Sequence, residues 1–247
     1  MPNFKDHFSS GSDDYRKFRP RYPESLYKWL HTKVARPNTV WECGAGSGQA
    51  TEHLAKHFDH IIATEPSEAQ LASAPPIDNV TYKASAAETF EHEPGSIDMV
   101  VVAQAIHWFD QARFFEKVDQ LLKPGGLLAV WGYQLMEANE ALDPLLKAFH
   151  DDFVGPYWPQ ERSLLNNGYA TIRFPYPALE APGFVMTDEW DLGHLLGYLN
   201  TWSATRAFEK DKGHNPVDLW RDKLTAAWGD KPKQRVSWPL VLYVGRK

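Results

Sequence analysis

The sequence predicts an α/β fold in which a mostly parallel sheet carries helices on both faces. Short apolar segments rich in β-branched residues alternate with segments of helical period, and this alternation is typical of doubly wound sheets. The chain has 247 residues, of which 43% are hydrophobic, so it can bury a full core. We therefore predict one domain that spans residues 1–247.

Five strands are predicted in the first half of the chain, at residues 39–43, 60–65, 80–85, 97–103 and 127–133. Helices fit between them because apolar residues recur on one face, and a Pro-Gly-Gly segment at 124–126 stops the last of these helices. Pro23 suits the first turn of an earlier helix. The inward residues of the three helices are Leu26, Leu30 and Val34; Ala50, Leu54, Ala55 and Phe58; and Phe114, Val118, Leu121 and Leu122.

The second half of the chain has a different texture. After about residue 140, stretches rich in Pro, Trp and Tyr interrupt regular structure. Strands are expected at 185–192 and 236–246, and helices around 193–210 and 217–229. We predict that residues 1–34 form a lid, that the core comprises about 35–140 and the two late strands, and that 155–180 and 193–230 form a helical cap.

Composition narrows the classes of function. The net charge is −6 and no block of lysines or arginines occurs, which disfavours nucleic acid as a partner. The first residues lack the pattern of a signal peptide, and no apolar run approaches the ~18 residues that span a bilayer, so we expect a cytoplasmic protein without a membrane partner. The single cysteine, Cys43, has no internal disulfide partner and is expected to pack beside the neighbouring glycines.

Three glycines stand at alternate positions directly behind the first predicted strand, in the stretch VWECGAGSGQAT. Glycines at a strand-to-helix turn allow the backbone to approach a ligand of nucleotide type. A dinucleotide fingerprint would place its third glycine one residue later than Gly48, and a serine hydrolase elbow would need glycines in place of Ala45 and Gln49. There is also no lysine for a phosphate loop. The pattern therefore disfavours both a dinucleotide-binding enzyme and a serine hydrolase.

The remaining pattern, E-x-G-x-G-x-G over residues 42–48, resembles the first motif of class I S-adenosylmethionine-dependent methyltransferases of the type 11 group. Further motifs follow in order at strand ends: Glu65, about 20 residues on, where an acidic side chain accepts ribose hydroxyls; the segment 85–88; the segment 104–110; and LLKPGGLLAVW. The resemblance covers about residues 35–135 and implies S-adenosyl-L-methionine as cofactor, with S-adenosyl-L-homocysteine as product. The cofactor-binding residues that it implies are Arg19, Glu42, Gly44, Ala45, Gly46, Gly48, Glu65, Pro66, Ser67, Ser85, Ala86, Ala87, Glu88 and Gln104.

One departure from the family concerns the adenine. Many members carry an aspartate where Ala86 stands, so adenine recognition here would fall to backbone groups and to Ser85. Arg19, in the arginine-rich arm YRKFRPRYP, is the expected partner of the cofactor's carboxylate; alternatively the arginines of this arm meet a carboxylate of the substrate. Gln104 is expected to reach the methionine end of the cofactor.

Within the family, the arm, the QAIHWFD segment, the GYLNTWSA stretch and the closing PLVLYVGRK resemble the trans-aconitate-type branch of small-molecule methyltransferases. This resemblance implies a Rossmann-like sheet of seven strands with the last strand antiparallel. It also implies methyl transfer to a small molecule, with a carboxylate oxygen as the expected acceptor atom. The sequence does not name the acceptor or the oligomeric state.

His107 is the candidate catalytic residue, either as a base or as a donor that orients the acceptor; the alternative is a histidine packed by Trp108 and Phe109. A carboxylate acceptor is ionised at neutral pH and needs no base. Aromatic faces stabilise a sulfonium by ~0.5–2 kcal/mol, although bulky residues more often belong to the core. The candidate substrate residues are Tyr15, Trp108, Trp131, Tyr133 and Trp202.

Other functions stay open. A nicotinamide-dependent reductase can use a similar sheet, and a non-catalytic module could bind S-adenosylmethionine or a protein partner. His53 and His57 are one turn apart with His60 nearby, a spacing that permits a metal pair, but an exposed helix face is the favoured interpretation and we predict no metal.

Overall fold

The computed structural model describes residues 17–35 and 38–247. This part of the chain forms a seven-stranded sheet with the order β3-β2-β1-β4-β5-β7-β6. Strands β1 to β5 are parallel, whereas β7 runs antiparallel between β5 and β6, so the expected fold is confirmed. The strands are β1 (Thr39–Cys43), β2 (His60–Glu65), β3 (Val80–Ala84), β4 (Ile97–Ala103), β5 (Leu122–Tyr133), β6 (Val185–Trp190) and β7 (Gln234–Arg246).

Helices connect and cover these strands. They are α1 (Glu24–His31), α2 (Thr51–Leu54), α3 (Glu68–Ala72), α4 (Gln111–Leu121), α5 (Asp143–Lys147), α6 (Ser163–Asn166), α7 (Leu192–Asn200), α8 (Ser203–Lys212) and α9 (Pro216–Trp228). A π-helical turn (Ala148–Phe153) follows α5, and 3₁₀ turns cover Ile106–Trp108, Gly155–Tyr157 and Gln160–Arg162. None of the helices described here has the length and apolar character needed to cross a bilayer.

Alternate residues of the central strands enter two separate cores, one on each face of the sheet. Val40 packs into the first core and its neighbour Trp41 into the second, as expected for strands buried on both faces. The first core also contains residues of α1, α7 and α9, and the second contains residues of α4. Because the late helices share a core with the sheet, we propose that they and the sheet form a single domain.

Helix α2 is shorter than predicted. The sequence favours a helix over 49–58, but only Thr51–Leu54 is α-helical. The side-chain amide of Asn79 donates to the carbonyls of Ala55 and Phe58, both at 2.9 Å, and so satisfies the carbonyls that a longer helix would use.

Two late boundaries also differ from the prediction. The strand expected over 185–192 ends at Trp190, because Asp191 accepts a hydrogen bond from the amide of His194 at 2.7 Å and caps α7. The helical stretch 193–210 is broken into α7 and α8. At the break, the Thr205 hydroxyl donates a hydrogen bond to the carbonyl of Leu199 at 2.8 Å. Strand β5 begins at Leu122 rather than at residue 127. Leu122 already pairs with Ile97 of β4, so the strand includes the Pro-Gly-Gly segment.

Candidate active site

The loop after β1 adopts a conformation that requires glycine. Gly44, Gly46 and Gly48 have φ angles of +68°, +58° and +84°. A Cβ atom at Gly44 would lie 2.7 Å from the Cβ of Ala105, in the segment after β4. The glycine loop, residues 44–48, is therefore in direct contact with the end of β4. Cys43 is buried at the start of this loop, as predicted.

Glu65, the last residue of β2, lies against the glycine loop. Its carboxylate accepts hydrogen bonds from the main-chain amides of Gly46 and Ser67, each at 3.0 Å, and the residue is 5% exposed. The Ser67 hydroxyl in turn accepts from the amide of Gln70 and caps α3, while Pro66 is half-buried between them. The two carboxylate oxygens are held in a fixed orientation beside the loop.

Glu42 lies one residue before the strand ends and is 1% exposed. Its carboxyl accepts a hydrogen bond from the Thr51 hydroxyl at 2.6 Å, which ties the strand to the start of α2. Burial, assisted by the charge of Glu65 and opposed by the Thr51 hydrogen bond, raises the pKa of Glu42 to about 8. Glu42 is therefore neutral at pH 7, and it supports the glycine loop through its hydrogen bond with Thr51.

The segment after β3 is linked to both of its neighbours. The amide of Ser85 donates to the carbonyl of Glu65 at 3.2 Å, and the Ser85 hydroxyl donates to the carbonyl of Ala86. Ala87 is buried, and the Glu88 carboxylate accepts from the amide of Asp110 at 2.8 Å. These contacts bring the ends of β2, β3 and β4 to one edge of the sheet, but the role of each residue toward a cofactor stays a prediction.

Gln104 is held in an uncommon conformation at the end of β4. Its φ is +58°, and its side-chain amide pairs with the main chain of Tyr133, donating to the carbonyl at 3.1 Å and accepting from the amide at 3.0 Å. These two hydrogen bonds extend the pairing of β4 and β5 beyond Ala103, with a side-chain amide in the place of a main-chain one. The expectation that Gln104 reaches the methionine end of a cofactor stays a prediction.

His107 lies in the 3₁₀ turn after β4 and is 5% exposed. Its ring contacts Trp108, with centroids 4.8 Å apart, and stacks toward Tyr169 at 6.5 Å. Burial and, to a smaller extent, the positive charge of Arg162 together lower the pKa of His107 to about 3. The imidazole is therefore neutral throughout the physiological range.

Comparisons with known proteins agree with this arrangement. A family model described as a methyltransferase domain matches residues 41–130. A Dictyostelium discoideum protein assigned as a methyltransferase is 32% identical over 253 residues, which cover 99% of this chain and 96% of that protein. The chain belongs to the class I S-adenosylmethionine-dependent methyltransferases.

Solved structures support the same assignment of this enzyme. A type II methyltransferase structure from Anaeromyxobacter dehalogenans has 37% sequence identity and a TM-score of 0.86, over 93% of this chain and 98% of that chain. A phosphoethanolamine N-methyltransferase of Haemonchus contortus, solved with S-adenosylhomocysteine and phosphomonomethylethanolamine, shares the fold at 16% identity and a TM-score of 0.50, over 97% of this chain and 57% of that chain.

The methyltransferase places a second group of side chains near His107, and sequence reasoning missed most of them. The turn that contains His107 packs against the turn Gln160–Arg162. We call the group the Arg162 cluster; it comprises His107, His150, Trp158, Arg162, Tyr169 and Trp202. Two sets of ring contacts occur in it: His150 lies 4.9 Å from Trp158 and 5.3 Å from Trp202, and His107 lies 6.5 Å from Tyr169. Only His107 and Trp202 were predicted as site residues.

The described part of the arginine-rich arm, residues 17–23, lies close to the end of β5. The Arg19 guanidinium donates to the Tyr133 hydroxyl at 3.2 Å and to the Thr201 carbonyl at 3.3 Å. The Pro20 carbonyl accepts from the side chain of Gln49 at 2.8 Å, so the arm is tied to the residue that follows Gly48. Arg19 and Arg21 line a cavity of about 330 Å³ together with Asp188, His194 and Trp238.

The predicted substrate residues fall into different environments. Trp131 is fully buried in the first core, where its ring lies 5.7 Å from Tyr22. Tyr133 is 4% exposed, and Trp108 is half-buried beside His107. Tyr15 lies outside the described residues.

His53 and His57 do not form the exposed helix face that the sequence favours. Their side chains are 16% and 14% exposed; His57 Nε2 is hydrogen-bonded to the Glu24 carboxylate at 2.7 Å, and His53 Nδ1 lies 3.6 Å from the same carboxylate. Both rings also stack on Tyr27. The pair therefore attaches α1 to the segment after the glycine loop. Within residues 17–35 and 38–247, no group of three or more His, Cys, Asp or Glu side chains could hold a metal ion.

Proposed function

We propose that this methyltransferase binds S-adenosylmethionine against the glycine loop and transfers its methyl group to a carboxylate oxygen of a small molecule. One observation carries the proposal. The glycine loop touches Ala105, and two residues later His107 enters the Arg162 cluster, so a cofactor cradle and a buried polar group of side chains adjoin at one sheet edge.

The residues of the loop fit the cofactor. Gly44 leaves no room for a side chain, and the Glu65 carboxylate is presented beside Gly46. A carboxylate offers about four lone-pair positions, so Glu65 can accept hydroxyl as well as amide donors. Bound S-adenosylmethionine supplies an activated methyl group on a sulfonium.

The protein's contribution to the reaction is alignment and exclusion of water. Methyl transfer to an ionised oxygen is a displacement between two groups that the enzyme must hold in line, and such positioning contributes up to ~7–11 kcal/mol in well-oriented systems. Trp108 packs on His107 and Trp202 on His150, and both imidazoles are largely shielded from solvent.

The acidity of His107 favours a carboxylate over a phenol as acceptor. The pKa of His107, about 3, lies about 7 units below the pKa of a phenol. Transfer of a proton from a phenol to His107 would therefore cost about 10 kcal/mol. A carboxylic acid is already ionised at neutral pH and needs no base. We therefore assign His107 the role of a neutral hydrogen-bond partner that orients the acceptor.

Calorimetric titration of S-adenosylmethionine and S-adenosylhomocysteine into the purified protein tests the proposal, with NADH as a third ligand. We expect micromolar binding of the first two, no binding of NADH, and loss of binding in Gly46→Val. Gly213→Val is the matched control, because Gly213 also has a positive φ, of +74°, at the end of α8 and meets no atom within 4 Å.

If neither sulfur ligand binds, the proposal is wrong. If they bind, incubation with methyl-labelled cofactor and a panel of small carboxylic acids tests the acceptor. Label that appears as a methyl ester, which mild alkali hydrolyses, supports transfer to oxygen; alkali-stable label would refute it.

A further inference from the structure

Arg162 is held flat on an aromatic ring at the edge of the Arg162 cluster. Its guanidinium carbon lies 4.2 Å from the centroid of the Trp158 ring. The indole nitrogen of Trp158 donates to the carbonyl of His150 at 3.0 Å, so the ring beneath the guanidinium is itself fixed. A stacked guanidinium directs its N–H donors outward in its own plane, which is the geometry that matches two oxygens of an oxyanion.

On the histidine and tyrosine side chains of the cluster, three buried polar atoms lack a hydrogen-bond partner within the described ranges 17–35 and 38–247. They are His107 Nδ1, His150 Nε2 and Tyr169 Oη, in residues that are 5%, 4% and 3% exposed. A buried polar atom without a partner costs roughly 1–3 kcal/mol. Three such atoms in one cluster are best explained by a polar ligand that completes their hydrogen bonds.

The electrostatics of the cluster favour an anion. Burial lowers the pKa of both His107 and His150; the hydrogen bond to Asp151 opposes this shift at His150, and the positive charge of Arg162 adds to it at both rings. The neighbouring acid, Asp151, is already bonded to Lys147 and to His150 Nδ1. Arg162 contributes a positive charge to this cluster.

A cavity of suitable size adjoins Arg162 and His150. It has a volume of about 270 Å³ and is lined by His150, Trp158, Arg162, Ser163 and Asn166, with Asp151 and the segment 155–160 at its margin. This space suits a small organic acid. It excludes a large polymer.

We infer that Arg162 binds an oxyanion of the acceptor and that the acceptor is consequently a small acid and not an amine. The inference rests on the proposed function, because it assigns the Arg162 cluster to the acceptor of methyl transfer. The anchored oxyanion is distinct from the oxygen that takes the methyl group, since a guanidinium-bonded oxygen is a weaker nucleophile. An ammonium in the same place would be repelled by Arg162.

Histidine NMR tests the inference directly. The protein is labelled with ¹⁵N-histidine, saturated with S-adenosylhomocysteine and titrated with glutarate, benzoate, phenyl phosphate or neutral benzamide. We expect saturable shifts of the His107 and His150 signals with the acids and none with benzamide. Arg162→Gln should weaken the response at least tenfold, and Arg162→Lys should weaken it less, because lysine keeps the charge without the planar fork.

The matched control is Arg173→Gln, which removes the same charge from an exposed side chain and should leave the titration unchanged. Calorimetry with S-adenosylhomocysteine and thermal unfolding accompany every variant. A response to phenyl phosphate alone identifies the oxyanion as a phosphate ester, and a response to the carboxylates identifies an acid.

Three results would overturn the inference: no response in the wild-type protein, an equal response in Arg162→Gln, or loss of S-adenosylhomocysteine binding in folded Arg162→Gln, which would assign Arg162 to the cofactor. Failure of the wild-type protein to bind S-adenosylhomocysteine would instead overturn the proposed function, so the two failures are distinguishable. If Arg162→Gln does not fold, Arg162→Lys decides the question by the ratio of its oxyanion affinity to its cofactor affinity.

Discussion

The carboxylate of Glu65 binds the main-chain amide of Gly46 at 3.0 Å, so the residue expected to accept ribose hydroxyls also holds the glycine loop in place. A single side chain thus performs a structural and a binding task. Its removal should cost affinity through both.

We expect Glu65→Ala to weaken binding of S-adenosylhomocysteine roughly 10- to 100-fold, because a hydrogen bond to a charged group contributes ~1.5–3 kcal/mol. The affinity of Glu65→Gln should lie between those of Glu65→Ala and the wild type, since glutamine keeps one acceptor oxygen. Calorimetry measures the affinities, and Glu68→Ala, an exposed acid three residues on, is the control. Unchanged affinity in Glu65→Ala would contradict the role assigned to Glu65.

The buried carboxyl of Glu42 should make stability depend on pH. Its pKa of about 8 in the folded protein lies above the ordinary 4.5, so its contribution is present below pH 4.5 and is lost as pH rises toward 8. Glu42→Gln, which is neutral at every pH, should therefore gain stability over the wild type by up to ~1.4 kcal/mol per pH unit in this window.

Urea unfolding at pH 5, 6, 7 and 8 measures this difference. Glu209→Gln, which removes an exposed carboxylate, should show no such trend. A constant difference between Glu42→Gln and the wild type from pH 5 to 8 would show that Glu42 is ionised in the folded protein.

His107 should make stability depend on pH with the opposite sign. Its pKa of about 3 lies below the ordinary 6.5, so between these values the unfolded chain binds a proton that the folded protein does not. This contribution is fully present above pH 6.5 and is lost as pH falls toward 3. His107→Asn should consequently lose less stability than the wild type between pH 6.5 and 4.

Carbon-detected NMR of the His107 ring offers an independent measurement. We expect its signals not to titrate between pH 8 and 5, whereas the same residue in urea-unfolded protein titrates in the ordinary range. A midpoint near 6 in the folded protein would restore His107 as a candidate general base.

Gly132 allows the side chain of Gln104 to reach Tyr133. A Cβ atom at position 132 would lie 2.5 Å from Gln104 Oε1 and 2.7 Å from Tyr169 Oη. We expect Gly132→Ala to destabilise the protein by about 1–3 kcal/mol, the usual cost of overpacking, and to perturb the Arg162 cluster through Tyr169. Thermal unfolding checks this prediction against Gly183→Ala, where an added Cβ meets nothing within 4 Å; equal melting temperatures would contradict it.

The central strands and the glycine loop could be predicted from sequence because their signals are local. Strand β4 has the predicted bounds, since its apolar run and the turn after it leave no competing pattern. The end of α2 could not be predicted, because it depends on Asn79, which is distant in sequence. Arg162 carries no motif: its contact with Trp158 is local in sequence, and only tertiary packing brings it near His107.

The place of β7 in the sheet has a consequence for biosynthesis. Because β7 pairs with both β5 and β6, neither of those strands has its full set of partners until the last strand in chain order has left the ribosome. During translation β5 is an open edge with an apolar sequence, the kind of strand that recruits other chains. Nascent chains of this enzyme are therefore exposed to aggregation at one defined edge, and the final strand ends that exposure.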